Sequence, residues 1–449
     1  MPSKRSYRRI SVKQIDFEKL RERAVELGGH RTCVGLDIAK SEIVAVVRWP
    51  DGQFEAPWKA GNPSEIGELM TRLQVLREVC DSLTVALEST GTYGDAVRLA
   101  MTQAGLDVQR ISGKAVADYQ EIFDGTPSQH DGKDAAMIAE LAHFGKGRPW
   151  PYTPPSQAED QMRFDVARYR ICVDEKTRWS NRIEAILARH WPELGRIISP
   201  SSSTALQIFE HYGSPAQLAA DKQATANLRR WSRGALGGTK IRAILKSART
   251  TCGLPMSQAA IDWLGENARE VGRLAKRRNE LKESLRKMAL NDPAMSPLVD
   301  STGPVTLCAI WSTVGDPGGY DSAGAFIKAI GLNLKESSSG KHQGQLKITK
   351  RGPSDARKVL YYWALRTISG GPLKAWYGIR INPKLGGEKV KMKMIIALMR
   401  RLAAGLWHAR RHGEAFDEAK VFPGRPLVAR SNKRRRRRRR RNEVAVSAG

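Results

Sequence analysis

The 449-residue sequence has little cysteine, five residues scattered without a single CxxC pair. That scarcity argues against a disulfide framework and a zinc module, and it fits a reducing compartment. Long apolar runs are missing too, none approaching the roughly 18 residues needed to cross a bilayer. The basic start, MPSKRSYRRISVKQ, has no apolar segment of the kind a secretion signal carries, so a cytoplasmic, nucleoid-associated protein is expected. Acids are in deficit, 46 against 75 lysines and arginines, for a formal net charge of +29. Part of that surplus is an acid-free run from Lys433 to Arg441, but the rest of the chain is basic without it. Such an excess is the electrostatic footprint of a polyanion partner, because each phosphate contact releases condensed counterions. With no membrane-spanning segment in view, the expected polyanion is nucleic acid.

What is present divides into several units. Residues 1–30 are polar and basic, an arm expected to be flexible or loosely helical. From Arg31, TCVGLDIAKSEIVAVVRW and GQFEAPWKA read as three short strands with turns near Lys40–Ser41 and Pro50–Gly52. Ile66, Leu69, Met70, Leu73 and Leu76 then recur at helical spacing. A buried strand ending in Glu88 follows, then a helix near 93–104, a strand at LDVQRI, and helices about 113–122 and 132–145. A three-strand meander followed by alternating helices and strands is the order of a ribonuclease-H-like α/β domain, here spanning 31–150. The proline-rich PWPYTPPSQ marks its end.

Across 151–291, one amphipathic helix runs through Met162, Val166, Tyr169, Val173, Ile183 and Leu187. A second runs through Ile261, Leu264, Ala268, Val271, Leu281, Leu285 and Met288. The helices suit pairing as a coiled-coil arm or dimerisation, or else a bundle within one chain. A mostly helical unit is expected over 292–418. It contains a Gly303–Pro304 turn opening a helix, whose N-terminus is suited to phosphate, and a basic amphipathic helix over 389–411. The tail, 419–449, holds eight consecutive arginines that cannot form a core and is expected to be disordered.

Two stretches carry the candidate chemistry. In SQHDGKDAAMIAEL, Asp131 and Asp134 stand one helical turn apart and so share a face. The plain reading makes Asp131 the helix cap and Asp134 a complement to the helix dipole. The alternative joins them to Asp37, in the first strand, and Glu88, at the end of the fourth. Those strands are neighbours in a ribonuclease-H-like sheet, and the last helix crosses near their ends. Four converging carboxylates suit Mg²⁺ or Mn²⁺, and a metal pair can activate a nucleophile and stabilise a leaving oxygen. An actin-type kinase also begins with a strand, Gly and Asp, but Lys40 and the missing glycine-rich phosphate loop set it aside.

The second stretch is LNLKESSSGKHQGQLKITKRGP, read as a solvated Ser/Gly loop or as a nucleophile loop. On the second reading a serine attacks a phosphodiester, while Lys341, Lys347, Lys350 and Arg351 contact nucleic acid and stabilise phosphate charge. A covalent phosphoserine would permit rejoining without ATP.

The ordered motifs VGLDIAK, ALESTGTYG, HDGKDAAMIAEL, STGPVTLCAIWSTVGDP and IGLNLKESSSGKHQGQLKITKRG, with the late basic helix, resemble transposases of the insertion-sequence-110 type over about residues 31–418. The resemblance implies a RuvC-like domain with a DEDD metal site, mapping onto Asp37, Glu88, Asp131 and Asp134. It also implies a serine transposase domain whose nucleophile falls on Ser339, with Ser338 as the alternative in register. An RNA-guided recombinase is implied further, acting on double-stranded DNA of the element ends and target with a noncoding guide RNA, as homodimers pairing into tetramers. The sequence departs from the family in STGP, where Gly-Ile-Gly-Pro is usual, and in the single glycine after Ser339. A RuvC-like junction endonuclease using water and a non-catalytic nucleic-acid-binding protein are the rival classes.

Overall fold

The computed structural model describes residues 9–89, 91–124, 130–339, 342–370, 373–381 and 391–417. The chain divides into two compact units, residues 1–154 and 155–449.

The first unit contains β1 (Ile10–Ser11), α1 (Phe17–Leu27), β2 (Thr32–Ile38), β3 (Glu42–Arg48) and β4 (Trp58–Gly61). It continues through α2 (Ile66–Val79), β5 (Leu83–Glu88), α3 (Asp95–Gln103), β6 (Asp107–Ile111), α4 (Gly113–Asp124), α5 (Asp131–His143) and β7 (Arg148–Pro149). These strands form one sheet in the order β1-β4-β3-β2-β5-β6-β7. Strands β2, β3 and β4 make the antiparallel meander, while β5 pairs parallel to β2 and β6 parallel to β5. The five inner strands therefore follow the ribonuclease-H-like order, with the first and fourth as neighbours.

Helices cover both faces, so β2 is buried along nearly its whole length. Leu36, Ile38 and Leu87 face a core shared with Leu20 of α1, Leu69 and Leu73 of α2, and Val97 of α3. Cys33, Ala86 and Ile111 face the other way, toward Met137 and Ile138 of α5.

The N-terminal arm differs from expectation where it is described. Ile10 pairs with Trp58 at the sheet edge, Val12 is fully buried, and Leu20 and Ala24 anchor α1 in the core. Apolar residues at one-turn spacing among the charges are enough to dock this segment, although its composition reads as polar.

The second unit begins with α6 (Gln157–His190). Five short helices follow: α7 (Leu194–Ile197), α8 (Ser203–His211), α9 (Pro215–Ala220), α10 (Ala224–Ser232) and α11 (Gly238–Arg249). The unit continues through α12 (Gln258–Asn291), α13 (Val299–Thr302), α14 (Pro304–Val314), α15 (Ala323–Ile330), β8 (Leu334–Ser339) and β9 (His342–Ile348). It closes with α16 (Ser354–Gly370), α17 (Leu373–Ile381) and α18 (Lys391–Arg411).

Helices α6 and α12 pack antiparallel against each other. Met162 and Val166 share a core with Leu285 and Ala289, whereas Ile183 and Leu187 share one with Leu264 and Ala268. Beside Val166 and Leu285, Ser284 donates to the buried Asp165 at 2.8 Å. The apolar stripes of the two long helices thus cover one another within the chain. Lys176, which interrupts the stripe, is half-buried, and desolvation together with Arg278 lowers its pKa.

At one end of this pair sits the cluster of short helices, and at the other the core of α14, α15, α16 and α18. Ile395, Leu398, Leu402 and Leu406 form the buried face of α18. The polyarginine run lies outside the described residues.

Candidate active site

The first acidic position is set by strand alternation. Residues two apart on a strand share a face, so Gly35 and Asp37 point the same way as Cys33, toward α5. At Gly35 the helix rests directly on the strand. A Cβ there would lie 1.9 Å from the carbonyl oxygen of Ala135 and 2.6 Å from the amide nitrogen of Ala139, so only glycine permits the crossing. The parallel register pairs Gly35 with Ala86 and Leu36 with Leu87, which places Asp37 and Glu88 one step further on adjacent strands. Glu88 leans on Gly113 at the start of α4, where an added Cβ would meet its Oε1 at 2.0 Å. The first turn of α5 then carries Asp131 and Asp134 to the same end of the sheet.

The four carboxylates lie in one another's field. Asp37 is pushed up from 3.8 to about 6, first by burial and then by the charges of Asp134, Asp131 and Glu88. Burial also raises Glu88, with Asp134 as the charged contributor. Asp134 is raised by burial and by Asp131, against the lowering effect of His130 and Lys133. Among the described residues, no three carboxylate, imidazole or thiolate side chains stand arranged as a metal shell. Asp131, about half exposed, is instead held by Arg9, whose Nη2 donates to Oδ2 at 2.8 Å. Arg9 also pairs with Glu42, which in turn accepts from Lys59 at 2.5 Å.

Asp131 is not the helix cap. His130 occupies that position, and its Nδ1 accepts from the amide of Lys133 at 3.0 Å. An imidazole nitrogen satisfies the orphan donor as a carboxylate would, and Asp131 at the first helical position is left for other partners. Sequence reasoning missed His130 and Arg9. The histidine just before the acid was a weak cue for the cap, whereas no local pattern marked the arginine.

The serine stretch is a hairpin rather than a loop. Leu334 pairs with Ile348, Lys335 with Lys347 and Glu336 with Leu346, with a register shift between Ser337 and Ser339. Ser339 closes β8 opposite His342. Lys347 is exposed on β9, Lys350 follows with a left-handed φ of 56°, and Arg351 is exposed beside it. Lys341 lies outside the described residues. The acids belong to the first unit and the hairpin to the second.

Sheet order and clustered carboxylates together define an α/β domain of the RuvC-like class, joined to a helical second unit. Comparison with known proteins makes the assignment specific. Residues 34–192 match a family described as transposase, of the DEDD IS110 type, and residues 299–396 match the transposase IS116/IS110/IS902 family. The chain is also 22% identical over 368 residues to an uncharacterized 43.6 kDa protein of insertion element IS110 from Streptomyces coelicolor, covering 79% of this chain and 89% of that one. The chain belongs to the IS110 family of transposases. Among the described residues no helix is long and apolar enough to cross a membrane.

Proposed function

We propose that the chain excises and inserts its own element by attack of Ser339 on a DNA phosphodiester, assisted by a divalent cation held by Asp37, Glu88, Asp131 and Asp134. The observation that carries this reading is the gathering of four acids at one end of the sheet, where burial first and then the charges of Asp134, Asp131 and Glu88 lift Asp37 to about 6. Such a partly buried cluster of acids is costly unless a cation neutralises it. The donor set is all oxygen, with His130 engaged as a cap, and so fits Mg²⁺ or Mn²⁺ rather than a softer ion. When bound, the cation supplies Lewis-acid stabilisation of charge on the scissile phosphate.

In this reading Asp37 and Glu88, fixed by strand register, form the rigid half of the cradle. Asp131 and Asp134 complete it once Arg9 gives up Asp131. Ser339 Oγ loses its proton and bonds to phosphorus as the P–O3′ bond breaks, and the departing 3′-oxygen takes up a proton. The phosphoserine ester keeps the bond energy for rejoining. Ser338 is the alternative nucleophile. Lys341, Lys347, Lys350 and Arg351 contact the strand. Double-stranded DNA of the element ends and target is the substrate. A noncoding guide RNA and pairing of dimers into tetramers complete the proposal, supported by family resemblance.

The test is to incubate the full chain with DNA from the element's flanks and Mg²⁺, then map any covalent protein–DNA adduct. Adduct formation should vanish in Ser339→Ala and in Asp37→Asn while DNA binding persists. Metal-dependent nicking that continues in both Ser339→Ala and Ser338→Ala would replace this reading with a water-using junction endonuclease.

A further inference from the structure

Within the second unit, α6, α12, α13, α14 and α16 line an open cavity of about 630 Å³. Ligand pockets typically fall between about 300 and 1,000 Å³, so one nucleotide unit fits. Its walls are partly apolar, including Val166, Val359 and the half-exposed ring of Tyr362. Thr302 also lines it, is only 1% exposed, and has no hydrogen-bond partner for its Oγ1. A buried hydroxyl without a partner carries a desolvation cost that a ligand can remove. Arg366 stiffens this wall, donating to the Thr302 carbonyl at 2.7 Å and to Thr306 Oγ1 at 3.2 Å.

The charges around the cavity are unequal. Arg170 is taken by Asp355, and Lys358 by Asp174 at 3.3 Å. Beyond these pairs, α12 contributes Arg278 and Lys282 one turn apart, with Asp300 as the facing acid. A cavity lined by an aromatic ring and two cations suits a planar base joined to a phosphate, and Asp300 can accept from an exocyclic amino group.

We propose that this cavity binds a single unstacked nucleotide, with its base against Tyr362, its phosphate at Arg278 and Lys282, and a base-edge atom on Thr302 Oγ1. The site needs neither the acid cluster nor Ser339, so it stands or falls apart from the reaction proposed above. The source of the nucleotide is either a single-stranded region of nucleic acid or a free nucleotide.

The experiment measures binding of the full chain to a single-stranded DNA oligonucleotide, the same sequence as RNA, its perfect duplex, and a nucleoside monophosphate. Salt is kept high enough to suppress nonspecific binding. Tyr362→Ala and Thr302→Val should each weaken single-strand binding about tenfold, leave the duplex unchanged, and leave the melting temperature unchanged or higher for Thr302→Val. Monophosphate binding that falls equally in both variants assigns the site to free nucleotides. Sensitivity confined to the oligonucleotides assigns it to a strand, with the tighter of DNA and RNA as its source. Parental affinity for every probe in both variants overturns the proposal.

Discussion

The acidic cluster and the serine hairpin are held in place by different means. Asp37 and Glu88 sit on neighbouring interior strands of a seven-stranded sheet with helices on both faces, and α5 is locked to β2 by contact at Gly35. Among the described residues, β8 and β9 pair only with each other. A two-stranded ribbon is marginal by itself in water. Its support comes from Ile348, which packs on the neighbouring core, while Leu346 is 56% exposed. The difference teaches that the acids owe their placement to long-range packing, whereas the serines are carried on a lightly supported ribbon, a division that the proposed roles of cation cradle and mobile nucleophile would each require.

Gly35→Val attacks the rigid side of this contrast and should have the largest effect. Its side chain would overlap the α5 backbone, so unfolding by denaturant should show a loss of about 3 kcal/mol or more. A loss below about 0.5 kcal/mol would mean that α5 is not held as described.

A smaller effect concerns the charge the rigid frame must tolerate. The folded-state pKa of Asp37, about 6, lies above its ordinary 3.8, so the folded form binds the proton more tightly. Without divalent cation, the stability contributed by Asp37 should therefore be full below about pH 3.8 and be lost as pH rises through about 6. After discounting for solvent screening, the change is about 1–2 kcal/mol. Asp37→Asn should flatten this decline in a melting series from pH 4 to 7, and millimolar Mg²⁺ should offset it in the parent. An unchanged slope in the variant would remove Asp37 from the coupled set.

On the ribbon side, Lys347→Ala should leave melting unchanged, weaken DNA binding of all sequences alike, and reduce the slope of log affinity against log salt by about one. A selective loss for one sequence would make Lys347 a base reader instead. The smallest expected effect belongs to Arg9→Ala, which releases Asp131 from a partly exposed ion pair. Isothermal titration with Mn²⁺ should show binding tightened about two- to fivefold, in keeping with less than about 1 kcal/mol for such a pair. Weaker binding would show that Arg9 positions Asp131 rather than competing for it.

Much of the first unit was legible because its signals are local and periodic. Alternation along VGLDI and LTVALE identified buried strands, and turn residues near Lys40 and Pro50 bounded the meander. The strand order then follows from how such meanders and crossovers pack. The helical stripes of α6 and α12 were equally visible, but a stripe does not say which surface covers it, so self-pairing needed the fold. The serine stretch read as a loop because Ser and Gly favour turns, whereas the pairing of Leu334 with Ile348 draws it into a hairpin.

By itself the sequence determined the strands and helices of residues 31–150 and the two long amphipathic helices, because these depend on residue types at spacings of two or about 3.6 within one segment. It also determined the basic balance that demands a polyanion. Only the tertiary structure decided that Arg9 reaches Asp131, that His130 takes the cap, that α6 and α12 pack on each other, and that Thr302 lines a cavity with its buried hydroxyl unpaired. Each of these is a meeting of side chains remote in sequence or a competition for one donor, and its outcome depends on close packing rather than on any local repeat.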